Sequence, residues 1–251
     1  MSAPKNRLPS ATRASRATRS RSPRWERKAG ERPSALLEAA LDAFAHHGFH
    51  ATRLETIAEA AGVSKGTVYT YFQNKEDLLR KAIEHRQEAN KAGFEAQLLN
   101  FRGSAEDKLR LFLEHLWAKT LTEDWGRLHR LMHGEIADEA PELYRVWIRN
   151  GLLRGWKLVA GILAEGQASG EFRAEADAEA LSRFLLSGLT NQAFLQVHMG
   201  IGKLDAFPLE RIYAAGVDTL LAGIRSPRAE RAKERLPASR PSRSAVRRRI
   251  A

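Results

Sequence analysis

Between Ser64 and Lys75 the sequence sets Lys65, Gly66, Thr67, Tyr69, Thr70 and Tyr71 in a run that contains no acidic side chain. Such a run is rich in hydrogen-bond donors and suits a polyanion. Thr67 has the reach to bond a base edge or touch a thymine methyl. Gly66 lets a backbone approach closely. The Tyr69 and Tyr71 hydroxyls and the Lys75 ammonium suit phosphates, and the helix start at Ser64 adds backbone amides. Histidines offer a second chemistry. His129 and His133 stand four apart, so one helix face could bring both rings to one metal, but no third ligand beyond Glu135 is in view. We therefore expect no metal site. The sequence has no Gly-rich phosphate cradle, no Gly-x-Ser-x-Gly elbow and no convincing carboxylate pair. No catalytic residue and no cofactor are expected, and the chain reads as a non-enzyme.

These residues need elements to hold them, and the apolar period between residues 34 and 225 is helical nearly throughout. Pro33 and Ser34 open a first helix with the stripe Leu37, Leu41, Phe44 and Ala45, stopped by Gly48. Thr52 and Glu55 have capping-box spacing, which places a second helix start at Leu54. Ile57, Ala58 and Ala61 face inward and Gly62 ends the helix. Ser64 caps a third helix with Val68 and Phe72 inward, and Asn74 caps a fourth that opens on Glu76 and Asp77. Two short helices joined by a Gly turn give a helix–turn–helix. Its second helix presents Lys65 to Tyr71 outward, where a recognition helix meets the major groove.

The segment "AFAHHGFHATRLETIAEAAGVSKGTVYTYFQNKEDLL" resembles the tetracycline-repressor (TetR/AcrR) family of bacterial transcriptional regulators. The match is strong over residues 34–90 and beyond them holds only in size and helix count. The resemblance implies an all-α fold: a three-helix DNA-binding domain, a larger helical ligand-binding domain and a homodimer. In family terms Thr52 begins the motif, Lys65 to Thr67 face bases, and Tyr69, Tyr71 and Lys75 grip the DNA backbone. Tyr71 departs from the His that many members carry there.

Past residue 90, helices are expected over 104–122, 124–138, 141–168, 177–199 and 208–225. The middle three carry large apolar residues with polar tips. Phe112, His115, Trp117, Trp125, His129, His133, Trp147 and Trp156, with Gln192 from a later helix, are the candidates for an effector pocket; the same pattern suits an ordinary core. Seams run through the last two helices at Phe184, Leu185 and Leu189 and at Leu209, Ile212, Tyr213, Val217 and Leu220. The resemblance implies that these helices pair with their mates in a four-helix bundle, and the alternative is that both seams face the protomer's own core. A two-fold dimer has independent sense, since two reading heads on a palindrome roughly 34–36 Å apart read more sequence than one.

Charge is uneven along the 251 residues. Residues 1–33 and 225–251 each carry ten basic and two acidic side chains, whereas residues 34–88 have six basic and eight acidic. Specificity in the head must therefore rest on local placement rather than bulk charge. We expect 1–33 to be a disordered basic arm able to follow a neighbouring groove, 34–90 the DNA-binding domain, 91–225 the ligand-binding and dimerisation domain, and 226–251 a disordered basic tail with a turn or two of helix. No apolar run approaches the ~18 residues of a membrane span, no secretory signal is seen, and Cys is absent. The expected protein is cytoplasmic, makes no membrane contact, and has double-stranded operator DNA, its own copy and a small-molecule effector as partners. The rival reading is a sequence-tolerant nucleic-acid-associated protein that binds through its tails.

Overall fold

The computed structural model describes residues 32–234; residues 1–31 of the expected arm and 235–251 of the expected tail lie outside the described residues. Among the described residues every regular element is helical, apart from one isolated β-bridge between Phe172 and Arg225. Helix α1 (Arg32–His47) is followed by α2 (Leu54–Ala60), α3 (Lys65–Tyr71) and α4 (Lys75–Asn90), close to the expected bounds.

Local chemistry explains these four helices. Leu36, Ala40, Leu41 and Phe44 recur at helical spacing on α1 and are buried. Gly48 ends that helix with φ +83° and Gly62 turns the chain after α2 with φ +66°, conformations that cost a residue with a Cβ. Ser64 caps α3 by accepting the Thr67 N–H at 3.1 Å. Asn74 caps α4 through the Asp77 N–H at 2.8 Å, while the Asp77 carboxylate accepts the Gln73 N–H at 3.2 Å. The capping box expected from Thr52 and Glu55 does not form. The N-cap of α2 is Arg53, which makes no side-chain cap bond. Thr52 instead donates backwards to the Gly48 and Ala43 carbonyls, at 2.6 and 3.2 Å, and is buried.

Helix α4 runs through a π-helical turn (Lys91–Glu95) into α5 (Ala96–Leu99). Then come α6 (Ala105–Thr120), α7 (Glu123–Leu131), a π-helical turn (Met132–Ile136), α8 (Ala137–Glu139) and α9 (Pro141–Ile148). A further π-helical turn (Arg149–Leu153) leads into α10 (Arg154–Ser169). The chain ends with α11 (Ala178–Ala193), a π-helical turn (Phe194–His198), α12 (Ile201–Leu204), α13 (Leu209–Ile224) and α14 (Pro227–Glu234). Ser104, Thr122 and Asp177 cap α6, α7 and α11, and Gly170 stops α10 with φ +77°. The helical turns expected after Ser226 exist as the two turns of α14, opened by Ser226, whose hydroxyl accepts the Ala229 N–H at 3.1 Å.

Two apolar clusters organise the chain. One joins α1–α4 to Leu131, Met132, Ile136 and Leu143, so the head shares its core with the segment from the end of α7 to α9. The other packs α6, α10, α11 and α13 around Leu109, Leu113, Val159, Ile162, Leu186 and Leu221. An Arg225–Glu106 pair, with both hydrogen bonds at 2.6 Å, closes the end of α13 onto the start of α6. Burial of the seam residues Leu185, Leu189 and Val217 in this second cluster corrects their assignment to a dimer face. They meet their own protomer, because the apolar period marks a face without saying what covers it.

Candidate nucleic-acid interface and regulatory cluster

Helix α3 buries Val68 and turns Lys65, Gly66, Tyr69, Thr70 and Tyr71 to solvent, with Thr67 half-buried. Tyr69 is 52% exposed and Tyr71 43%, unusual values for large aromatic rings and fit for contact with a partner. Not all the donors on this face are free. The Thr70 hydroxyl donates to the Gly66 carbonyl at 2.9 Å, and the Ser64 and Thr67 hydroxyls lie 2.9 Å apart. Lys65 forms an exposed ion pair with Glu55 of α2 and lies 5.8 Å from the Tyr69 ring centroid. The hydrogen bond to Glu55 raises the Lys65 pKa, which keeps the ammonium charged.

Thr52 and Lys75 sit differently from the sequence expectation. The buried Thr52 hydroxyl braces the end of α1. The Lys75 ammonium donates to three carbonyls, those of Phe49, His50 and Thr52, at 2.6, 3.2 and 3.3 Å, and stands 4.6 Å from the Phe49 ring centroid. An ammonium has three protons, and here each has an acceptor. Lys75 thus pins the α1–α2 turn to the start of α4.

That turn is held from its other side by a residue 85 positions away. Glu135, in the Met132–Ile136 turn, accepts the Phe49 N–H at 2.8 Å and the His50 N–H at 2.6 Å. Charge-assisted bonds to two consecutive amides are stronger than neutral ones. A Cβ at Gly48 would lie 3.0 Å from the same carboxylate, so Gly48 serves both the positive φ and the approach of Glu135.

Directly before Glu135 in the chain lies an aromatic and imidazole cluster. Trp125 stacks on His129 at 4.4 Å between centroids; His129 lies 4.2 Å from His133 and 4.8 Å from Phe194; His133 meets Trp147 edge-on at 5.1 Å. The Tyr144 hydroxyl shares a 2.9 Å hydrogen bond with His133 Nδ1. His198 reaches the Thr120 carbonyl through Nε2 at 2.8 Å and packs on Gly126, where a Cβ would come within 2.1 Å of its ring. His129 Nδ1, His198 Nδ1 and Gln196 Oε1 are buried without a hydrogen-bond partner. Burial, helped by the neighbouring His133 and His198, lowers the His129 pKa to about 3, and burial also lowers that of His133. Both rings are neutral at pH 7. Two π-helical turns, at Met132–Ile136 and Phe194–His198, set His133, Phe194 and His198 into this cluster, and such turns often accompany function.

The structure brings together four of the expected pocket residues, Trp125, His129, His133 and Trp147. It separates the others. Phe112 and Trp117 are buried in the second apolar cluster, Trp117 against Tyr213 at 5.5 Å. His115 stacks on Phe94 at the surface, Gln192 is exposed, and Trp156 lies against Arg183. Sequence reasoning missed Tyr144, Phe194 and His198. Their aromatic character was the available signal, but it does not say which aromatics meet.

Among the expected dimer residues Phe184 is 79% exposed. It lines an open groove of about 510 Å³ between α11 and α13, together with Ala180, Leu181, Thr219, Leu220 and Gly223. Leu209, Ile212, Tyr213 and Leu220 are half-buried.

Residues 36–82 match the model of bacterial regulatory proteins of the tetR family, and residues 107–223 match the C-terminal domain of AefR-like transcriptional repressors. This chain belongs to the TetR family. Among its TetR-family relatives, the fatty acid metabolism regulator protein of Bacillus subtilis is 27% identical over 190 residues, covering 75% of this chain and 93% of that protein. The HTH-type transcriptional regulator RutR of Escherichia coli is 37% identical over 119 residues, 47% of this chain and 53% of that protein, so that likeness spans about half of RutR. The solved fatty acid degradation regulator FadR of Bacillus halodurans superposes with a TM-score of 0.62 at 24% identity, covering 78% of this chain and 98% of its own. FadR of Bacillus subtilis, solved with stearoyl-CoA, gives 0.58 at 24% identity, covering 76% and 98%. These superpositions establish the TetR fold: a helix–turn–helix head on a helical body. No helix among the described residues is long and apolar enough to cross a membrane.

Proposed function

We propose that this TetR-family chain is a cytoplasmic, homodimeric repressor that binds a palindromic operator and is released by a small lipophilic effector. The observation that carries the reading is the acid-free, solvent-facing surface of α3 on a head whose supporting turn is held by Glu135 of the body. Lys65, Gly66, Thr67, Tyr69, Thr70 and Tyr71 are the groups that meet DNA, with the Ser64 helix start adding amides. Thr52 and Lys75 act one step back, by shaping the turn that carries α2.

The dimer is proposed on the α11–α13 groove, with Phe184 as its anchor and Leu209, Ile212, Tyr213 and Leu220 at its margin. Exposure of a large ring at the rim of an apolar groove supports this. The effector is proposed to enter the Trp125–His129–His133–Trp147 cluster, where unpartnered buried nitrogens offer lone pairs or donors and the rings offer apolar contact. The relatives named for fatty acid metabolism make a long-chain acyl-CoA the first compound to try. An effector that rearranges His129 and His133 displaces Glu135, because all three lie on one continuous helical segment, and with it the turn under the head. The chain does its work by binding, without catalysis.

The test is fluorescence anisotropy on duplex DNA from upstream of the protein's own coding region. Tight binding that needs the palindrome, and that stearoyl-CoA weakens, is the expected result. Binding that ignores sequence and disappears when residues 1–33 and 226–251 are deleted would favour the tails as the binding element instead.

A further inference from the structure

The α1–α2 turn and the body meet at a second cluster of side chains that DNA reading does not use. His50 Nε2 is in contact with Glu139 Oε2 and lies 3.8 Å from Glu135 Oε1, and the ligand atoms of these three residues are all within 4.8 Å of one another. His50 belongs to the head, while Glu135 and Glu139 belong to the body and stand on one helical face.

Their chemistry is that of a nitrogen and oxygen donor set for a borderline divalent cation. Ligands at ~2.1 Å in tetrahedral array sit ~3.4 Å apart, so small rotations of partly exposed side chains bring the three into range. Glu135 uses one lone pair on each oxygen for the Phe49 and His50 amides, which leaves the second lone pair of Oε1 for a metal. Those amide bonds also fix the carboxylate in place, as groups beyond the ligands do at built metal sites. The Lys75 ammonium, the nearby cation, is turned to the carbonyls of Phe49, His50 and Thr52.

We propose that His50, Glu135 and Glu139 form a three-ligand site for Zn²⁺ or a similar ion, completed by water, that fastens the reading head to the body. The binding claim stands on the three residues alone; the regulatory claim rests on the repressor reading above. A bound ion would tie His50 to the same helical segment that carries the effector cluster, so it opposes any shift of the head.

The full-length protein, stripped with EDTA and dialysed, is titrated with Zn²⁺ in a calorimeter, and Co²⁺ absorption reports the ligand field. One ion per chain is expected, with affinity reduced at least about tenfold by His50→Ala and by Glu139→Gln. The Glu139 side chain bonds no backbone group among the described residues, and its pairing is with His50, so Glu139→Gln is expected to keep the fold, which circular dichroism checks. Absence of binding, or undiminished affinity in both variants, overturns the site. Operator affinity is then measured with Zn²⁺ and with EDTA. A change of threefold or more in the parent protein and none in Glu139→Gln supports the latch; equal affinities in the parent protein overturn it. Loss of all operator binding in both conditions would defeat the repressor reading and leave the calorimetric result standing.

Discussion

The Glu135 carboxylate accepts the backbone N–H groups of Phe49 and His50, at 2.8 and 2.6 Å, across 86 and 85 residues of chain. Through it the body of the protein holds the peptide that leads into the DNA-reading motif. Lys75 grips the carbonyls of the same turn, so a carboxylate takes the amides and an ammonium takes the oxygens.

Removing that carboxylate should loosen the head. Glu135→Ala leaves two amides of the turn without their acceptor, and we expect a loss of about 1.5–3 kcal/mol in urea unfolding. Glu135→Gln keeps one acceptor and should fall between. If neither variant shifts the unfolding midpoint, the turn does not depend on Glu135.

Lys75 offers a choice between two physical roles. As the brace seen here, Lys75→Met should lower stability by about 1–3 kcal/mol and weaken operator binding without altering its salt dependence. As a phosphate contact, the same change would leave stability intact and reduce the slope of log K against log salt by about 0.9. Unfolding curves and a salt titration on one pair of proteins separate the two.

Protonation of the aromatic and imidazole cluster has a definite sign. His129 has a folded pKa of about 3 against an ordinary 6.5, so between those values the unfolded chain binds the extra proton. Stability is therefore full above pH 6.5 and is lost as the pH falls towards 3. His129→Leu should make the melting temperature fall less steeply between pH 7.5 and 4.5. An identical slope in the two proteins would mean that the imidazole is not held neutral.

The two kinds of apolar residue on α11 should answer differently to mutation. Phe184→Glu, at an exposed ring, is expected to leave the melting curve of the fold nearly unchanged at low concentration and to convert dimers to monomers in sedimentation. Leu189→Ala, at a buried position, should cost about 2–5 kcal/mol by leaving a cavity. Equal sedimentation of Phe184→Glu and the parent protein would place the interface elsewhere.

Gly126 tests the packing of His198. Gly126→Ala sets a methyl group within 2.1 Å of the His198 ring, which must move away from Trp125. A cost of about 1–3 kcal/mol is expected, together with a change in effector response in the anisotropy assay.

The sequence by itself determined the helix–turn–helix, since its helices, caps and Gly turns are set by residues within a few positions of one another. Ser64 and Asn74 cap as their types require, Val68 and Phe72 turn inward, and the donors from Lys65 to Tyr71 stay outside. Hydropathy period also located the late helices and their apolar faces. Tertiary structure alone decided what each face meets. Leu185, Leu189 and Val217 look the same in the period as Phe184, yet three are buried in the protomer and one is bare. Thr52 and Lys75 have the right types for DNA and spend their donors on carbonyls, because the fold put acceptors within reach first. The meeting of Glu135 with Phe49 and His50 has no local trace at all. A hydrogen bond between residues 85 apart depends on how two packed units face each other, and no periodicity in the chain carries that information.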